Sequence, residues 1–176
     1  MRDQTAGGYD FESFLAGAAP RLLRFAYLLT GDGHRAEDLV QEALVRTYVA
    51  WSRVVREDAF AYTRKILTNL YADWWRSGRW RERTVTEIAV AAPTNDPADE
   101  VAQRSWLVAA LRGLTARERA VVVLRFMVDL TEADVARELG ISVGTVKSTT
   151  ARALRKLRVV DGDELPLVPS EKGQTP

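Results

Sequence analysis

Apolar residues recur at helical spacing along most of this chain, and the alternation expected of strands is nearly absent. Between Tyr9 and Thr30 the repeat runs Phe11, Phe14, Leu15, Leu22, Leu23, Phe25, Ala26 and Leu29, with Pro20 suited to the first turn of a second helical piece. Gly31-Asp32-Gly33 breaks it. It resumes from His34 to Trp51 through Ala36, Leu39, Val40, Ala43, Leu44, Thr47, Tyr48 and Trp51. A charged, irregular loop from Ser52 to Asp58 precedes a helix, rich in Trp and Tyr, from Ala59 to about Arg81. Residues 84–99 contain Pro93, Pro97, small residues and acidic charge, which mark a linker. Four further helical pieces follow: Val101–Gly113, Ala116–Val128 with a cap near Thr115, a helix opened by Thr131, and a last helix after Ser142. Beyond Val160 periodicity stops, and a disordered tail is expected over 161–176. The fold expected is all-α: a domain over 9–83, a flexible acidic linker over 84–99 and a second small domain over 100–160.

The stretch from Thr131 to Arg158 has the punctuation of a helix-turn-helix. Thr131 is an N-cap candidate with Asp134 three residues on, and Val135, Ala136 and Leu139 face inward. Gly140 can end the helix in the left-handed conformation, Ile141 plugs the turn and Ser142 can cap the next helix. Along that second helix Val146, Thr150, Ala153, Leu154 and Leu157 fall on one side. Lys147, Ser148, Ala151, Arg152 and Arg155 fall on the other. Short polar side chains beside Lys and Arg suit base edges and phosphates in a major groove. A plain amphipathic hairpin is the competing reading, and the Gly-Ile-Ser turn between two correctly phased helices argues against it.

Composition removes several function classes. The 176 residues hold no Cys and one His, so disulfides, thiol catalysis and Cys- or His-rich metal centres are excluded, and no cofactor or metal is expected. His34 reads as a surface residue ahead of a helix. No stretch has a signal-peptide or membrane-span pattern, which points to a cytoplasmic protein. The net charge of +1 hides an uneven distribution. Six basic residues stand between Tyr62 and Arg83 against two acidic ones, and ten stand between Arg112 and Arg158 against five. Two basic blocks around an acidic connector suggest two nucleic-acid contact surfaces.

The first basic block is aromatic as well. Trp74, Trp75 and Trp80 lie among Arg76, Arg79, Arg81 and Arg83. Guanidinium groups engage phosphates and aromatic faces stack on exposed bases, which suits melted or single-stranded nucleic acid better than intact duplex. Ile66, Leu67, Leu70 and one of Trp74 and Trp75 are expected in the core instead.

Four blocks in order then carry a family resemblance: DGHRAEDLVQEALVRTYVAW, FAYTRKILTNLYADWWR, LTARERAVVVLRF and the helix-turn-helix. Over about Asp10 to Arg158 the chain resembles the extracytoplasmic-function (ECF) group of sigma-70 family RNA polymerase sigma factors. The resemblance implies a region 2-like domain that binds core RNA polymerase and the melted minus-10 element, and a region 4-like domain that reads the minus-35 duplex. On that basis Asp38, Gln41 and Glu42, at i, i+3 and i+4, would meet the polymerase clamp coiled coil. Asn69 would help hold a flipped minus-10 base, with Phe60, Tyr62 and the Ser52–Asp58 loop forming the rest of its pocket. Arg76, Arg79 and Arg81 would follow the non-template strand. Thr145, Lys147, Ser148 and Arg152 would face the minus-35 duplex, Arg155 and Lys156 its phosphates, and Arg117 the backbone beside it. The polymerase flap and an anti-sigma factor are further partners the family implies. Thr149-Thr150 departs from the Arg or Gln that similar factors often carry after the Lys-Ser pair.

Two other classes compete. A helix-turn-helix regulator could bind duplex operators without polymerase, but it has no need of the Trp/Arg helix. A helical adaptor that never touches DNA has no need of the basic face. An enzyme is the least expected class.

Overall fold

The computed structural model describes residues 10–54, 58–77 and 107–161, with the side chains up to Arg158. No strand occurs among the described residues. Three helices form the first unit: α1 (Phe11–Thr30), α2 (Gly33–Val49) and α3 (Ala59–Arg76). Each starts on an aspartate whose carboxylate accepts from a backbone N–H of the first turn: Asp10 from Ser13, Asp32 from Arg35 and Asp58 from Ala61. Gly31 ends α1 at φ 66°, so the glycine-aspartate-glycine break is a left-handed stop followed directly by a cap.

Pro20 does not divide α1, contrary to the expectation of two pieces. Pro20 and Ala16 both lie on the exposed side of the helix. The Ala16 carbonyl that loses its donor therefore faces solvent, and the helix continues as one rod. Its inner face is Phe14, Ala18, Leu22, Phe25, Ala26 and Leu29. α2 presents Ala36, Val40, Ala43 and Thr47 to it, and α3 presents Leu67, Tyr71 and Ala72.

The second unit begins, among the described residues, with a helical stretch at 107–112. α4 (Ala116–Val122) follows a full capping box: Glu118 N–H donates to Thr115 Oγ1 and Thr115 N–H to Glu118 Oε2. The helix then widens to a π-turn over Val123–Met127, where Val128 N–H reaches back to the Val123 carbonyl. Asp129 at φ 58° and a bond from Leu130 N–H to the Leu124 carbonyl complete the turn. The expected continuous helix to Val128 is thus an α-helix with a π C-terminus. α5 (Glu132–Leu139) and α6 (Val143–Asp161) form the last pair.

The two units share one core. Leu67 and Tyr71 of α3 belong to the same buried cluster as Val121 and Leu124 of the second unit. Residues 78–106 and 162–176, which contain the expected linker and all of the expected tail except Asp161, the last residue of α6, lie outside the described residues.

Candidate nucleic-acid interface

The helix-turn-helix is assembled by its turn. Thr131 Oγ1 accepts from Asp134 N–H at 3.1 Å and donates to the Asp134 carboxylate at 2.5 Å. That hydroxyl, with Arg137 beside it, holds the Asp134 carboxyl below the ordinary carboxylate range. Gly140 closes α5 at φ 62°, and Ile141 N–H donates to the Ala136 carbonyl at 2.9 Å. These are the bonds of a left-handed helix stop with the apolar residue folded back behind it. Ser142 Oγ then accepts from Thr145 N–H at 3.1 Å and starts α6.

α6 buries Val146, Thr149, Ala153 and Leu157, a stripe at i, i+3, i+7 and i+11. Thr149, where the chain departs from the family pattern, is an inward residue. Thr150 and Leu154 are only half-buried at the edge of that stripe. Lys147, Ser148, Ala151, Arg152, Arg155 and Lys156 lie exposed on the opposite side, and Thr145 is half-buried at its start. Lys147 is 3.8 Å from Glu132, an exposed and weak pairing. Arg152 Nε donates to the Ser148 carbonyl along its own helix at 3.3 Å.

Two of the expected minus-35 contacts, Lys156 and Arg117, are engaged within the protein. Lys156 Nζ donates to Glu118 Oε2 at 2.7 Å. Burial pushes the Glu118 carboxyl up, but the bonds from Lys156 and Thr115 outweigh it and hold it below its usual range. Arg117 is half-buried, with its guanidinium 5.6 Å from the Trp75 ring and its Nε without a hydrogen-bond partner.

In the first unit Asp38, Gln41 and Glu42 are exposed together on α2, and Glu42 accepts from Arg46 Nε at 2.8 Å. The same face continues through Val45 and Val49, 55% and 73% exposed. Tyr48, assigned to the inward stripe from the sequence, is 64% exposed, with its ring against Phe11 at 5.0 Å. Thr47, one residue away, takes the inward position, and 100° of helix rotation leaves Tyr48 outside.

On α3, Tyr62, Asn69 and Arg76 fall at i, i+7 and i+14 along one exposed stripe with Lys65 and Asp73. Phe60 is half-buried under the Arg21 guanidinium, 4.1 Å from its ring. Arg76 donates to Asp73 at 2.9 Å and to the Leu139 carbonyl at 2.7 Å. Arg64, counted within the basic block, is 8% exposed and paired with Glu138 at 2.6 Å. Both Trp74 and Trp75 are half-buried where one was expected inside, and Arg35 stacks on Trp74 at 4.0 Å. Trp80, Arg79, Arg81 and Arg83 lie outside the described residues. Among the described residues no cluster of three or more His, Asp or Glu side chains is placed to hold a metal, and no helix is long and apolar enough to cross a membrane.

A capped helix-turn-helix with a basic outer face, carried beside a second helical unit with an acidic-apolar face of its own, defines a two-part helical nucleic-acid-binding protein. The family model described as Sigma-70 region 2 matches residues 10–81, and that described as Sigma-70, region 4 matches residues 104–157. The RNA polymerase sigma-E factor of Streptomyces coelicolor is 40% identical over 152 residues, covering 85% of this chain and 84% of that protein. The ECF RNA polymerase sigma factor SigL of Mycobacterium tuberculosis is 35% identical over 146 residues, covering 78% of this chain and 81% of its own. The sigma factor RpoE of Bartonella quintana, solved in complex with the anti-sigma factor NepR, superposes with a TM-score of 0.65 at 25% identity, over 89% of this chain and 99% of that one. The chain belongs to the sigma-70 family of RNA polymerase sigma factors, in its ECF group.

Proposed function

We propose that this protein is an alternative sigma factor that joins core RNA polymerase, directs it to specific promoters and opens the minus-10 element. The observation that carries this reading is the presence of both sigma regions in order on one chain, the second presenting an exposed Lys147, Ser148, Arg152, Arg155 face on a capped recognition helix. Asp38, Gln41 and Glu42 dock on the polymerase clamp, and the neighbouring Val45 and Val49 supply apolar area to the same contact. Tyr62 and Asn69 take melted minus-10 bases, with Phe60 supporting the pocket through its packing on Arg21. Arg76, with Arg79 and Arg81 beyond it, follows the non-template strand. Thr145, Lys147, Ser148 and Arg152 read the minus-35 duplex and Arg155 meets its phosphates, while Arg117 and Lys156 stay engaged with Trp75 and Glu118. Opening draws on binding energy alone: capturing flipped bases offsets an unstacking cost of a few kcal/mol per step. The protein works in the cytoplasm, with an anti-sigma factor as its regulator.

The test is to add the purified protein to sigma-free core polymerase with a genomic promoter library. Promoter-dependent transcripts are expected, and Lys147→Ala and Arg152→Ala should each weaken upstream-element binding by about 1–3 kcal/mol. No transcript from any promoter, together with duplex binding by the protein alone, would make it an operator-binding regulator instead. Unchanged upstream occupancy in both variants would show that the reading face has been misassigned.

A further inference from the structure

Thr149 follows the Lys147-Ser148 pair, at the position where similar factors often carry Arg or Gln, and it is 1% exposed. It stands on the inward stripe of α6, between Val146 and Ala153. A β-branched side chain in a packed site has no room to turn, so Thr149 Oγ1 is a fixed acceptor beside the reading face. Arg152, exposed and about one turn further on, uses it. Its Nη2 donates to Thr149 Oγ1 at 3.4 Å, and its Nε donates to the Ser148 carbonyl at 3.3 Å. Each bond is long, but the donors belong to one rigid plane, so together they fix its direction.

That direction leaves a usable edge. Nε–H and the Nη2–H parallel to it form one side of the guanidinium, and this side is turned back onto α6. Nη1–H and the second Nη2–H form the other side, a pair of parallel donors pointing away from the helix. Helical side chains lean toward their own N-terminus, so this edge lies over the turn at Ser148, nearer the end of α6 that Ser142 caps. In a helix-turn-helix the N-terminal part of the second helix meets base edges. Two parallel donors match the O6 and N7 acceptors of a guanine. The neighbouring side chains do not offer such a fork. Lys147 is a point charge 3.8 Å from Glu132, and Ser148 Oγ donates to the Thr145 carbonyl at 3.2 Å.

We propose that Thr149 is a positioning residue for base recognition: its buried hydroxyl pins Arg152 so that the outward edge of the guanidinium is set for one guanine of the upstream element before DNA arrives. An exposed arginine gives up side-chain freedom when it binds, and a pinned one has already given up much of it. Thr149 therefore acts on the affinity for the right base and not on the general attraction to phosphates. The setting rests on the sigma-factor reading, whereas the pinning is a property of the chain itself.

Thr149→Val keeps the buried shape and removes only the acceptor. It strands no buried donor, because the released Nη2 belongs to an exposed side chain. Nuclear magnetic resonance on the full chain should give Arg152 Nε–Hε a higher order parameter than Arg155, which is exposed on the same helix. Thr149→Val should lower it to the Arg155 level, and Thr149→Ser should keep it high. The chain assembled with core polymerase is then selected on a promoter library randomised across the upstream element. The parent should prefer guanine at one position. Thr149→Val should weaken that preference about three- to tenfold, with the salt dependence of binding unchanged. Arg152→Ala and Arg152→Lys should abolish it, and Thr149→Val added to Arg152→Ala should change nothing more. Thr149→Ser should retain the preference even where it costs stability. An unaltered Arg152 order parameter and preference in Thr149→Val overturns the proposal. So does a loss in Thr149→Ser as large as in Thr149→Val, or one that persists without Arg152, since either marks a packing role. A changed salt dependence with no guanine preference places Arg152 on a phosphate and overturns it too. If no promoter-dependent transcript forms, the sigma-factor reading fails, and the same library bound as duplex by the chain alone decides the role of Thr149 by the same outcomes.

Discussion

The Nζ of Lys156, near the end of the recognition helix, lies 2.7 Å from Oε2 of Glu118, in the first turn of α4. The same carboxylate oxygen accepts from Thr115 N–H at 2.9 Å. One buried acid thus closes the capping box of α4 and ties down the far end of α6. Lys156→Ala is expected to lower stability by about 1 kcal/mol, the lysine being half-exposed and the carboxylate keeping its backbone donor. Its effect on DNA should be small: the slope of log affinity against log salt should stay at the parent value. Arg155→Ala, which removes an exposed charge, should reduce that slope by about 0.9. Equal slope changes in the two variants would mean that Lys156 leaves Glu118 to meet a phosphate.

Acid should unfold the second unit through the same pair. The Glu118 carboxyl is held below its ordinary value of 4.5, and Asp134 below 3.8, so both folded values are depressed. Such groups stabilise the folded state above their unfolded values and lose that contribution as pH falls through their folded ones. Urea midpoints should therefore be flat from pH 7 to 5 and fall below about pH 4.5. Glu118→Gln should start lower at pH 7 and show a shallower acid decline. An acid limb of unchanged steepness in that variant would assign it to other carboxylates.

What could be read in advance was chemistry confined to a few residues. The cap at Thr115, Thr131 with Asp134, and Gly140-Ile141-Ser142 each complete their bonds within about one helical turn, and each is legible from a few neighbouring residues. Pro20 misled because its cost depends on whether the Ala16 carbonyl faces water, which no local pattern states. Tyr48 misled because neighbouring positions differ by 100° around a helix, and Thr47 claimed the inward place by bonding across to Thr63. Arg64 counted as part of a basic surface until its partner, 74 residues away, appeared beside it. Partnerships across domains leave no periodic trace, so the DNA-facing side of α6 was legible and the seam on α3 was not.

The Thr47 and Thr63 hydroxyls lie 3.0 Å apart in the core, and each also reaches the carbonyl four residues before it, Ala43 or Ala59, at 2.8 Å. Two protons cannot fill three bonds, so one hydroxyl donates across the helices and the other to its own turn. Thr47→Val should cost about 1 kcal/mol by leaving Thr63 without its cross-helix partner. Thr47→Val with Thr63→Val should cost less than the sum of the two single changes, because both orphaned groups are gone. Additive losses in thermal unfolding would show that the pair is not coupled.

Gly140 is the point on which the helix-turn-helix depends most directly. Its φ of 62° costs a β-carbon-bearing residue about 1–2 kcal/mol, and asparagine less than alanine. A Cβ there would meet only the Arg76 guanidinium, at 3.7 Å, so crowding adds little and backbone strain decides the outcome. Gly140→Ala should lower the unfolding temperature by about 2–5 °C, and Gly140→Asn by clearly less. The strain also bears on Ile141 N–H and its bond to the Ala136 carbonyl, which sets the angle at which α6 leaves the turn. Gly140→Ala should therefore weaken duplex binding at temperatures where the protein is still folded, and Gly140→Asn should recover most of that loss. Equal destabilisation by Ala and Asn would mean that the space around the turn, and not its left-handed backbone, requires glycine.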